Sequence, residues 1–144
     1  MIVPVTEENL RSAAAVHAES WREAHGFCSS EFVAAHTTLR QMDYLRRELE
    51  RGKALFLLID EIPVGVVSVK GDLIENLYVL PACHRRGYGT RLLHFAEERC
   101  VEAPTLWILS NNDRARSFYL KNGYHFTGQK KVLSPQLAEL ELRK

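Results

Sequence analysis

Residues 83–93 read CHRRGYGTRLL. Gly87 and Gly89 stand one residue apart, Arg85, Arg86 and Arg91 surround them, and an apolar pattern of helical spacing starts directly behind. Glycine admits tight backbone turns and lets a ligand approach the main chain closely. Unpaired N–H groups at a helix start, together with the helix dipole, attract an anion. A phosphate group is the natural occupant of such a loop. It is not a Walker loop, because no G-x-x-x-x-G-K-[ST] run occurs. It is not a dinucleotide fingerprint either: Leu92 stands where a third glycine belongs, and no acidic residue is set up for a ribose. Spacing alone leaves a second reading open, a glycine-rich strand-to-helix turn with solvated arginines.

The elements that position this loop follow from periodicity. Ile2–Val5 reads as a short strand. Thr6 is a candidate helix cap with Glu7 and Glu8 in the first turn, and Leu10, Ala14, His17, Trp21 and Ala24 recur at helical spacing until Gly26. Ser30 is a candidate cap for a short second helix. Thr38 to Gln41 reads as a capping box, with Met42, Leu45 and Leu49 as the apolar stripe behind it and Gly52 as the stop. Strands are expected at Ala54–Asp60, Val64–Lys70 and Leu73–Leu80, joined by turns at 61–63 and 71–72 and ended by Pro81. A helix runs from the glycine loop to about Cys100. Thr105–Leu109 is a strand, Asn112 caps a helix that Gly123 ends, and Tyr124–Val132 and Ala138–Arg143 are the last strands. The order is β-α-α-β-β-β-α-β-α-β-β, a mixed α/β sheet with an antiparallel meander in the middle. Leu73 to Leu109 forms a β-α-β unit, so its two strands should be parallel.

A chain of 144 residues fits one domain able to bury a core unaided. The net charge of +1 gives no overall field toward nucleic acid or a membrane surface, so any electrostatic preference must be local. Cys28, Cys83 and Cys100 are odd in number and show no C-x-x-C spacing, which speaks against a disulfide framework or a zinc site. Cys83 adjoins the loop without any further mark of reactivity. The N-terminal MIVPVTEENL lacks the pattern of a signal peptide, and the longest apolar run, Ala54–Ile59, is far too short for a bilayer. A cytoplasmic location is the expectation.

Three stretches taken together carry a resemblance. Glu75–Pro81, ENLYVLP, leads into HRRGYGTRLL, and LWILSNNDRARSFYLKNGY follows at 106–124. This resembles the GNAT superfamily of N-acetyltransferases, whose signature is Q/R-x-x-G-x-G/A after a strand, then an Asn and A-x-x-F-Y on a helix that ends near G-F. Gly87 and Gly89 match the first block. Asn112, Ala115, Phe118, Tyr119 and Gly123-Tyr124 match the second. The departure is His84, where the family has Gln or Arg; a histidine still offers a hydrogen bond.

The resemblance implies acetyl-CoA as co-substrate, with no metal. Its pyrophosphate would lie on the main chain of Arg85, Arg86, Gly87, Tyr88, Gly89 and Thr90, with His84, Asn112, Ala115 and Phe118 alongside. Its pantetheine arm would pair with Leu77, Tyr78 and Val79 as an added strand. The reaction is direct attack of an amine on a thioester carbonyl. At neutral pH about one lysine-like amine in a few thousand is the free base, so a proton acceptor helps. Tyr119 holds the position of a general acid for the leaving thiolate; its alternative is an aromatic packed with Phe118 beneath the sheet. Glu75 is the candidate base. Strict alternation would put it on one face with Leu77 and Val79, although relatives often carry their acid where this chain has Leu73. Water relays are the alternative.

The first helices usually wall the acceptor, so His17, Trp21, His25 and Phe27 are candidate contacts, with core packing as the competing reading. Aromatics and carboxylates suit a small primary amine. A protein amine is the second acceptor class, and an aminoglycoside has no support in the mixed charges of these helices. Relatives often dimerise, which no residue here decides. Two other classes compete: a non-catalytic acyl-CoA-binding module on the same fold, and a nucleic-acid binder using the arginine cluster, which near-neutral charge disfavours.

Overall fold

The computed structural model describes residues 1–144. Its elements are β1 (Ile2–Pro4), α1 (Leu10–Ala24), α2 (Ser30–Ala34), α3 (Thr38–Glu50), β2 (Ala54–Asp60), β3 (Ile62–Lys70) and β4 (Leu73–Val79). A 3-10 turn at Pro81–Cys83 precedes α4 (Tyr88–Glu97), β5 (Thr105–Leu109), α5 (Asp113–Lys121), β6 (His125–Ser134) and β7 (Leu137–Arg143). The strands form one sheet in the order β1-β2-β3-β4-β5-β7-β6. Only β4 and β5 are parallel, as a β-α-β crossover requires.

Hydrophobic runs at both faces of the central strands demand cover on both sides. Leu10, Ala13, Ala14 and Val16 of α1 and Leu45 of α3 pack on Leu55, Leu57 and Val66. On the other face Leu92, Leu93 and Ala96 of α4 and Tyr119 of α5 pack on Leu58, Val67, Ile74 and Leu106. Gly65 lets α4 come close: a Cβ there would stand 2.7 Å from Leu92 Cδ1.

Several helix starts differ from the sequence expectation. The first helix begins at Leu10, not behind Thr6; the Thr6 N–H donates to Asn9 Oδ1, and residues 6–9 form a turn. Ser29, not Ser30, caps the second helix, accepting from the Phe32 N–H, and Thr37, not Thr38, caps the third, accepting from the Arg40 N–H. The five-residue α2 makes three helices before the meander. Asn112 caps α5 as expected, accepting from the Ala115 N–H at 3.0 Å.

Candidate active site

The site begins where the sheet comes apart. β4 and β5 share one register pair, Leu73 with Thr105, extended by a hydrogen bond from the Thr105 N–H to the Asp72 carbonyl. Beyond that rung, β4 pairs only with β3. There its register slips: Glu75 faces Ser68 and Tyr78 faces Val66, so Asn76 and Leu77 together stand opposite Val67. This is a β-bulge. Asn76 sits at its corner with φ 54°, a left-handed conformation that asparagine tolerates better than most residues.

The bulge overturns one expectation. Strict alternation puts Glu75 on the face of Leu77 and Val79, but the extra residue flips the parity. Leu77 and Val79 pack toward the α4 and α5 layer. Glu75 and Asn76 look into a cavity on the α1 and α3 face. Tyr78 lines both sides, so its phenol marks the junction.

On the α5 face lies a cleft of about 800 Å³. None of the main-chain N–H groups from Arg85 to Thr90 donates to an acceptor in the chain; the first bond of α4 runs from the Arg91 N–H to the Gly87 carbonyl. Gly87 has φ 81°, which a glycine adopts freely, and Arg85 has φ 65°. The result is a row of free donors at a helix N-terminus opening into the cleft. His84 braces this loop. Its Nε2–H donates to the Val79 carbonyl at 2.9 Å, and its Nδ1 accepts from Arg114, which also pairs with Glu23 of α1. Both ring nitrogens are thus engaged within the chain, which corrects the expectation of a free donor at the family's Gln or Arg position.

Leu77, Tyr78, Val79, His84, Arg85, Gly87, Tyr88, Gly89, Thr90, Asn112, Ala115, Phe118, Tyr119 and Phe27 all line this cleft. Arg86 does not. The Tyr88 side chain turns away to donate to Asp60. Tyr119 is buried with its ring edge-on to Phe118 and Tyr124. Its hydroxyl has no hydrogen-bond partner in the chain, and burial first, then the nearby Tyr78, raises its pKa, so it keeps its proton at neutral pH. Burial likewise raises the Tyr78 phenol.

The second cavity, about 540 Å³, lies between α1, α3 and the sheet. A one-way hydrogen-bond chain crosses its floor. Gln41 Nε2 donates to His17 Nδ1 at 2.8 Å, and His17 Nε2–H donates to Asn76 Oδ1 at 3.1 Å. Asn76 Nδ2 donates to Ser68 Oγ, whose hydroxyl donates to the Glu75 carbonyl. These partners fix His17 as the neutral Nε2–H tautomer. Desolvation lowers its pKa to about 4. The Tyr44 hydroxyl also reaches Asn76 Oδ1, at 3.4 Å. Glu75 Oε1 pairs with Lys53 at 2.6 Å, and Lys53 also holds the buried Glu48 at 2.8 Å.

Trp21 lines this second cavity, sandwiched between His25 at 3.9 Å and His36 at 3.4 Å. His25 lines neither space and meets the second cavity only through its stack on Trp21. Asn76, Gln41, Tyr44, His36 and Trp107 were not singled out from sequence. One signal for Asn76 existed: it is the residue least suited to a strand within LIENLYV. No group of three or more His, Cys, Asp or Glu side chains is placed to hold a metal ion, and the cysteines are unpaired.

A strand pair that opens past one rung, with free amides facing the opening, is a fold and site already known. A family model described as acetyltransferase (GNAT) domain matches residues 51–126. The chain belongs to the GNAT acetyltransferase family. It is similar to a GCN5-related N-acetyltransferase, described as aminotransferase class II, from Rhodopseudomonas palustris, with a TM-score of 0.78 and 26% identity over 100% of this chain and 94% of that one. PaiA N-acetyltransferase from Thermoplasma acidophilum, solved in complex with coenzyme A, shares the fold at a TM-score of 0.73 and 18% identity, over 100% and 98% of the two chains. Mycothiol acetyltransferase of Amycolatopsis mediterranei (strain U-32) is 29% identical over 53% of this chain, a match that spans only 27% of that protein. No helix is long and apolar enough to cross a membrane.

Proposed function

We propose that this protein is an acetyl-CoA-dependent N-acetyltransferase acting on a primary amine of a small molecule. The observation that carries the reading is the row of unpaired N–H groups from Arg85 to Thr90, set in the cleft where β4 loses its partner. Such donors at a helix N-terminus suit a pyrophosphate, and the open edge of β4 suits an extended amide-bearing arm. When bound, acetyl-CoA supplies an acetyl group activated as a thioester.

The chain's own residues divide the remaining work. Leu77 and Val79 flank the arm, Phe118 and Ala115 wall it, and Arg85 adds charge near the phosphates. Amine and thioester meet beside Tyr78, the residue common to both cavities. A new bond joins the amine nitrogen to the acetyl carbon as the carbon–sulfur bond breaks. The amine surrenders a proton, and the sulfur receives one. Tyr119 holds a proton at its hydroxyl for the departing sulfur. Glu75, on the amine side, takes up the amine's proton through water, using the carboxylate oxygen that Lys53 leaves free. Trp21 walls the acceptor directly, with His25 stacked behind it, and Phe27 stands at the cleft rim.

Calorimetry with acetyl-CoA, followed by a thiol-release assay over a panel of amines, tests this reading. Micromolar binding with turnover supports it. Binding without turnover on any amine, including peptide α-amines and lysines, points instead to a non-catalytic acyl-CoA-binding module. Sedimentation at the same concentrations reads whether two copies associate.

A further inference from the structure

The second cavity has a charge pattern that an acetyl group does not explain. Arg40 and Arg47 of α3, seven positions apart and so on one stripe of the helix, both line it. Neither forms an ion pair. Across the space, Lys131 of β6 lies 4.2 Å from the centroid of the Trp107 ring, again without a carboxylate partner. Two carboxylates line the same space. Glu75 shares Lys53, at 2.6 Å, with the buried Glu48. Glu139 stands directly opposite Lys131 on the β6 and β7 ladder, beyond ion-pair distance. Three cations therefore face two carboxylates, one held by Lys53 and the other opposite Lys131, which leaves Arg40 and Arg47 as the charges without an acidic partner. Buried, neutral His17 adds no charge to the floor.

We infer that the acceptor amine carries an anionic group, a carboxylate or a phosphate, which Arg40, Arg47 and Lys131 hold at the cavity wall. This rests on the acetyltransferase reading above and names its substrate class. A simple cationic amine is repelled by such a wall. An amine with its own anion is attracted, and guanidinium forks match carboxylate and phosphate oxygens. The same positive field favours the neutral form of an amine held beside it, which is the form that attacks. Glu139 remains to meet the ammonium of the arriving zwitterion.

The test does not depend on turnover. The chain has two tryptophans, Trp21 and Trp107, and both line this cavity. Intrinsic fluorescence therefore reports its occupancy. Glutarate, inorganic phosphate and the neutral isostere glutaramide are titrated at constant ionic strength, since free salt screens exposed charge. A saturable change with glutarate marks a carboxylate site, and one with phosphate marks a phosphate site; glutaramide gives neither. Arg40→Gln and Arg47→Gln should each weaken the responding anion by about tenfold, the weight of one charge-assisted hydrogen bond. Both arginines are exposed, so the variants should fold, and unchanged calorimetric affinity for CoA confirms it. Equal response to glutaramide, no response to either anion, or unchanged anion affinity in both variants overturns the inference. Failure of CoA to bind, with the anion response intact, instead overturns the acetyltransferase reading.

Discussion

His17 Nε2 lies 3.1 Å from Asn76 Oδ1, and through this bond the buried face of α1 grips the bulged residue of β4. Gln41 of α3 supports the imidazole from its other side. The strand has parted from β5 three residues earlier, after the Leu73 and Thr105 rung. Two helices far away in sequence thus brace the bulge that lies just inside the opening.

Asn76→Ala removes the acceptor for His17 and Tyr44 and strands buried donors. A loss of about 1–3 kcal/mol is expected, with added strain from alanine at φ 54°. Asn76→Gly relieves the strain but not the lost bonds, so it should fall between wild type and alanine in urea denaturation.

Acid should weaken the fold through His17. Its folded pKa, about 4, lies below the ordinary value of about 6.5 for an unfolded histidine. Above pH 6.5 the group is neutral in both states and contributes no pH dependence. As pH falls from 6.5 toward 4, only the unfolded chain takes up the proton, and stability drops by on the order of 3 kcal/mol. Chemical denaturation at pH 7 and pH 4 measures this. His17→Gln should be less stable at pH 7 yet lose less on acidification.

Tyr119→Phe deletes a hydroxyl with no partner in the chain, so stability should hold within about 1 kcal/mol. Turnover should fall by about a hundredfold, the scale of a lost general acid, while calorimetric affinity for acetyl-CoA stays nearly unchanged. Full activity in the variant removes Tyr119 from the mechanism.

Gly87→Ala forces a side chain into φ 81°, at a cost of about 1–2 kcal/mol. The loop should relax, and CoA affinity should drop with it. Gly89→Ala makes the useful contrast, because its new Cβ meets the Phe118 ring at 3.5 Å, an ordinary contact. A thermal melt with and without CoA separates the two.

Glu75→Gln leaves Lys53 paired with Glu48 alone. Turnover should fall by about a hundredfold at neutral pH, and the loss should narrow as rising pH supplies more free amine. A pH profile that merely scales down assigns proton uptake to water instead.

Much of this site could be read from residue types. The glycines, the Asn112 cap and the pair Phe118-Tyr119 lie close together in sequence, and local spacing carries their placement. The caps at 29 and 37 were displaced by one because Ser29-Ser30 and Thr37-Thr38 each offer equivalent hydroxyls, and only backbone geometry chooses between them. The face of Glu75 was misread because a single inserted residue reverses every later side chain on a strand. The second cavity draws on α1, α3, β4, β5, β6 and β7, so no local pattern announces it. Arg40, Arg47 and Lys131 carry no shared signal in the sequence, and only the fold brings them to one space.

The single rung between Leu73 and Thr105 divides the backbone of the sheet into two panels. β1 to β4 form one panel and β5, β7 and β6 the other, joined in the backbone by that rung and in the side chains by the core beneath α4 and α5. A ligand arm laid along the free edge of β4 acts as a brace spanning the gap. With such an arm in place the two edges would be tied along the cleft as well as at the Leu73 and Thr105 rung.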